Sequence, residues 1–153
     1  MMKTTIDAEL MKEIREAVAS SQDVYELENA EALAFVDAVA KSFIADADKT
    51  WWWDSIKQKS LTISYGNDDC SELLNKLIKN KRAEVLLIVT DEESRPWPVF
   101  RGAFSDVSKI ISEQRFFEYF ITNRECTWLI FDTHHNSLVL TGEMIDVFEA
   151  LRD

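Results

Sequence analysis

Residues Trp128–Gly142 read WLIFDTHHNSLVLTG, and this stretch decides the fold class. Thr127–Phe131 and Ser137–Leu140 are apolar, β-prone runs. Between them stand Asp132-Thr133-His134-His135-Asn136, polar residues with turn chemistry, so the pattern is a hairpin. Downstream of Gly142, the spacing of Met144, Val147, Phe148 and Leu151 predicts a closing helix over Glu143–Leu151. Upstream, Phe116, Phe117, Tyr119, Phe120 and Ile121 form an aromatic segment that reads as helical. It follows a helix capped by Ser105 or Asp106, with Val107, Ile110 and Ile111 apolar.

Further upstream, Val85–Thr90 (VLLIVT) is a continuous apolar run suited to a buried central strand. Pro96 and Pro98 then forbid a helix, predicting a loop that leads into a short strand near Val99–Arg101. Trp97 sits between the two prolines, a rigid context that suggests an exposed binding anchor. Ser60–Tyr65 alternates as a strand ending at Gly66, and Asn67 or Asp68 can cap a helix running to about Asn80. Ahead of that strand stand three consecutive tryptophans, Trp51–Trp53, which cannot all face one core.

The N-terminal third reads as two helices. Ile6, Leu10, Ile14 and Ala17 or Val18 share one side of the first. The second spans about Asn29–Ala47, capped by Asn29, with Leu33, Val36, Ala40, Phe43 and Ile44 as its apolar stripe. The resulting order, α-α-β-α-β-β-α-β-β-α, lacks strict β-α alternation. It therefore predicts an α+β fold: a mostly antiparallel or mixed sheet of about four to six strands, with an N-terminal helical pair and a C-terminal helix. At 153 residues the chain is expected to form a single domain over residues 1–153, with a core that needs no disulfide or metal.

Charge narrows the partners. Asp plus Glu number 28 against 17 Lys plus Arg, a formal net charge of -11, yet 46% of residues are hydrophobic, so the acidity belongs to a folded body. Such a surface repels nucleic-acid phosphates and anionic membranes and attracts basic proteins. Between Glu16 and Ala40 there are six acidic residues and no basic one. Residues 1–75 carry -8 (7 basic, 15 acidic) and residues 76–153 only -3 (10 basic, 13 acidic). Neither a signal peptide nor a bilayer-spanning run is visible, and Cys70 and Cys126 read as reduced thiols, which together predict a cytoplasmic protein. Asp68 and Asp69 precede Cys70, and their charge disfavours a thiolate there.

Catalytic signatures are lacking: no nucleophile elbow, no glycine-rich phosphate loop, no cofactor motif. The reading therefore leans away from an enzyme. The best alternative is a small metal-dependent or acid–base hydrolase built on Asp132, His134 and His135, because a carboxylate and imidazoles at one turn can move protons or hold a metal. A metal needs three or four ligands, and no other histidine exists in the chain. The expected partner-binding residues are Asp91, Glu92, Glu93 and Trp97, together with Glu28, Glu31 and Asp37 on the second helix.

The segments PWPVFRG (Pro96–Gly102), RFFEYF (Arg115–Phe120) and WLIFDTHHNSLVLTG resemble a family of small uncharacterised bacterial proteins of this length. Trp51–Trp53 and Tyr65-Gly66-Asn67 contribute to the same resemblance, which covers most of the chain. In size, acidity and lack of a catalytic signature the chain also resembles the immunity proteins of bacterial toxin systems, including contact-dependent growth inhibition. That second resemblance implies a cytoplasmic protein that binds and blocks a cognate toxin domain; the chain's own acidity points to a basic, nuclease-type one, occluded without turnover.

Overall fold

A computed structural model describes residues 2–48, 51–66, 70–90, 97–114, 116–133 and 135–152. Among them the chain order is α1 (Met2–Ser21), β1 (Tyr25–Glu26), α2 (Asn29–Phe43), a single 3₁₀ turn (Trp52–Asp54), β2 (Ser60–Ser64), α3 (Cys70–Leu77), β3 (Glu84–Val89), β4 (Val99–Ala103), α4 (Phe104–Glu113), β5 (Tyr119–Thr122), β6 (Trp128–Thr133), β7 (Ser137–Gly142) and α5 (Glu143–Arg152). The strands form one sheet in the order β1-β4-β3-β5-β6-β7-β2, and every neighbouring pair is antiparallel. The α+β class stands, and β6 and β7 pair as the expected hairpin.

The strand count exceeds the four to six expected, and the two additions have distinct causes. β1 is a two-residue edge strand, too short to leave a pattern. β5 comes from the aromatic segment read as helical. Its alternate residues serve opposite sides of the sheet: Tyr119 and Ile121 join one core and Phe120 the other. A strand apolar on both faces shows no period-2 signal and mimics a buried helix.

Side-chain alternation divides the interior into two cores. Val85, Leu87, Val89, Tyr119, Ile121, Ile130, Leu138 and Leu140 point toward α1, α3, α4 and α5. Leu86, Ile88, Val99, Phe120, Leu129, Phe131 and Val139 point toward α2 and the tryptophan turn. The N-terminal helical pair is therefore split across the sheet. Leu10, Met11, Ile14 and Val18 of α1 pack on the first face, whereas Ala32, Val36, Val39 and Phe43 of α2 pack on the second. The side chain of Ile6 lies outside the described set, as does the Asn67 or Asp68 cap.

Three details of α2 differ from expectation. Its N-cap residue is Glu28, not Asn29, and the helix ends at Phe43. Leu33 faces solvent at 46% exposure, because the buried stripe runs through Ala32, Val36, Val39 and Phe43. α4 likewise starts earlier than expected, with Ala103 at the N-cap position, two residues before Ser105 and three before Asp106.

The tryptophans distribute as their spacing demands. Trp52 is buried and donates its indole N–H to the Ala47 carbonyl at 3.0 Å. Trp51 is exposed and stacks on Trp53 with ring centres 5.8 Å apart. Trp97 overturns the exposed-anchor expectation: only 3% exposed, it meets Trp52 edge-on at 4.8 Å and Phe120 at 6.3 Å. Flanking prolines fix the backbone but do not decide which way the indole points. Here it closes the α2-side core.

Candidate functional site

β6 carries one carboxylate into an otherwise apolar face. Trp128, Ile130 and Asp132 alternate onto the same side of the strand, and Asp132 is only 2% exposed. Register places it opposite Tyr119 of β5 and Leu138 of β7. β2 brings Tyr65 alongside, because the Tyr65 amide extends the β2–β7 pairing by donating to the Asn136 carbonyl at 3.0 Å. Asn136 and Gly66 both take left-handed backbone angles (φ 55° and 58°), so the hairpin closes tightly and the chain turns toward α3 just after Tyr65. α3 then opens with Cys70 over the same carboxylate.

The four side chains converge. Tyr65 Oη donates to Asp132 Oδ1 at 2.6 Å, and Cys70 Sγ donates to Oδ2 at 3.3 Å. The Tyr119 hydroxyl also bonds to Asp132 and lies 3.8 Å from the Cys70 sulfur. Burial pushes the Asp132 carboxyl above its ordinary value, outweighing the three donors that pull it down; the Glu118 charge adds to the rise. Burial, followed by the Asp132 charge, drives the Tyr119 hydroxyl well above the usual phenol range.

This cluster floors a cleft of about 460 Å³ between α3 and α4, over the ends of β5 and β6. Leu74, Ile111 and Phe117 supply its apolar wall, and Ser108, Ser112 and Gln114 its polar rim. Phe116 stands half-exposed at the mouth. The volume falls in the range of small-molecule sites, roughly 300–1,000 Å³.

Among the described residues of the histidine turn, Asp132 and His135 do not come together. His135 leaves the hairpin on the opposite side from Asp132 and meets Trp53 edge-on, ring centres 5.5 Å apart. It lines a separate depression with Trp53, Ser60 and Thr62, while Asp132 lines the α3–α4 cleft. Positions an odd number apart along an extended strand point to opposite faces, the relation that Asp132 and His135 keep. His134 lies outside the described residues. Among the described residues no cluster of three His, Cys, Asp or Glu side chains could hold a metal ion.

The expected partner-binding residues fare unevenly. Asp91, Glu92 and Glu93 lie outside the described residues, and Trp97 is core. Glu28, Glu31 and Asp37 are all exposed on or beside α2. None of the three is in an ion pair among the described residues. By contrast, Glu26 is engaged by Arg15, both guanidinium bonds measuring 3.0 Å. The outer face of α2 also presents Ala30, Leu33, Ala34 and Ala38, and Tyr25 on the edge strand is 54% exposed. The outer side of α2 thus joins exposed apolar side chains to Glu28, Glu31 and Asp37, with Lys41 its one exposed cation, while Arg101 lies over the Tyr25 ring at 5.5 Å. Periodicity placed Leu33 inward, which hid this surface from a reading of the sequence.

No helix among the described residues is long and apolar enough to cross a membrane. Compared with known proteins, residues 2–152 match the model of a family of unknown function, DUF6756. No curated protein sequence matches.

Proposed function

The chain belongs to DUF6756, a family described as of unknown function, and from its own surfaces we propose that it is a protein-binding module that uses the outer face of α2. The partner is a basic protein. In its most specific form the proposal is a cytoplasmic immunity protein that occludes a cationic, nuclease-type toxin domain.

One observation carries this reading. Glu28, Glu31 and Asp37 are exposed on the same helix that turns Leu33 outward at 46% exposure. Solvent-facing helix positions ordinarily carry polar side chains, and an apolar centre inside a charged border is how protein interfaces are built. The sign of the border selects the partner. A nuclease groove is cationic because it grips phosphate, so an anionic face competes for it and accelerates encounter. The buried Trp97 takes no part in this contact; its role is to hold the core beneath α2.

The test is co-expression with a toxin domain encoded directly upstream of this gene. The native chain is expected to restore growth, and the triple variant Glu28→Lys, Glu31→Lys, Asp37→Lys to lose most of that protection at equal abundance. Full protection by the variant would reject this face.

A further inference from the structure

We propose that the cleft between α3 and α4 is a binding site for a small aromatic amine, whose ammonium group is received by Asp132. The proposal is independent of the protein-binding face, which lies on the other side of the sheet.

The chemistry of the floor selects the ligand. Asp132 is the sole ionisable carboxylate among the described residues lining the cleft, and no cationic side chain is among them. Tyr65, Cys70 and Tyr119 give the carboxylate three hydrogen bonds, but none supplies a countercharge. A carboxylate accepts about four hydrogen bonds through its two oxygens, so one acceptor position is left for a ligand N–H. A buried anion with no cation among its described neighbours gains more from an arriving cation than an exposed one would, because water screens the pair less. An anionic ligand would meet repulsion at the same point.

The walls select the remainder of the molecule. Tyr65 and Tyr119 line the floor and Phe117 the wall, and aromatic rings near a cation add attraction through their π-faces. Leu74 and Ile111 add apolar surface above, with Phe116 half-exposed at the mouth. A flat two-ring body with a short ammonium arm matches this arrangement, with the rim serines and Gln114 facing any polar edge.

Tryptamine and its uncharged analogue tryptophol differ only in the terminal amine against a hydroxyl, so calorimetric titration of the full chain with both at pH 7.5 isolates the charge. Tryptamine is expected to bind at least tenfold more tightly than tryptophol. Asp132→Asn should weaken tryptamine at least tenfold and change tryptophol less than threefold. Should Asp132→Asn fail to fold, Ser112→Trp plugs the rim from an exposed helical position and is expected to abolish tryptamine binding without lowering the melting temperature. Equal binding of the two compounds overturns the proposal, as does no binding of tryptamine. Tryptamine affinity that survives either substitution in a folded protein overturns it as well.

Discussion

Replacing Asp132 by Asn changes one atom in a site where burial and hydrogen bonding pull in opposite directions. In the native chain Asp132 accepts from Tyr65 Oη at 2.6 Å, from Cys70 Sγ at 3.3 Å and from the Tyr119 hydroxyl. Asn retains an oxygen for Tyr65 but turns an N–H donor toward the thiol and the second hydroxyl. Two hydrogen bonds are lost or mismatched, each worth about 1 kcal/mol, so the variant should be about 2 kcal/mol less stable. For a domain of this size that lowers the melting temperature by about 4–8 °C.

The pH dependence of that difference tests the cause. Burial is the largest influence on Asp132 and raises its folded-state pKa above the value in the unfolded chain. The folded protein then binds the Asp132 proton more tightly than the unfolded one. Its stability contribution is complete below the unfolded value, about 3.9, and is lost as pH rises through the folded value. Asn does not titrate. Urea denaturation of both proteins across pH 4 to pH 7.5 should show the native advantage largest at the acid end and shrinking toward neutrality. An advantage that grows with pH would mean the donors outweigh burial, refuting this account of the site.

Two further outcomes follow from the core. Trp97→Ala should destabilise the chain by about 3–5 kcal/mol, because it empties the space against Trp52 and Phe120; unchanged denaturation midpoints would return Trp97 to the surface. Gly142→Ala should cost about 2–3 kcal/mol or more, since φ is +71° and an added Cβ would sit 2.9 Å from the Trp128 Cα and nearer still to the Thr127 carbonyl oxygen; a melting temperature within a degree of native would contradict that geometry.

What the sequence made legible was local. The hairpin strands, the VLLIVT strand and the closing helix each announce themselves through a run, a turn or a period. Phe116–Ile121 did not, because a strand buried on both faces and a buried helix share the same composition. Trp97 misled because two prolines specify a backbone and leave the indole's direction to tertiary packing. The cleft was invisible as a pattern: Tyr65, Cys70, Tyr119 and Asp132 span 67 positions and meet only through β2–β7 pairing, β5–β6 register and the start of α3. One signal was available. Asp132 interrupts the inward-facing series Trp128, Ile130, and a carboxylate at an inward strand position must find donors there.

The acidic face of α2 is tested most directly by association kinetics with the proposed cationic toxin domain across a salt series. Reversing Glu28, Glu31 and Asp37 to Lys moves the formal net charge from -11 to -5, two units at each of three positions. If this face steers the encounter, the association rate at low ionic strength should fall by roughly tenfold or more, and its salt dependence should flatten. A triple variant that associates at the native rate, with the native salt slope, would contradict the account.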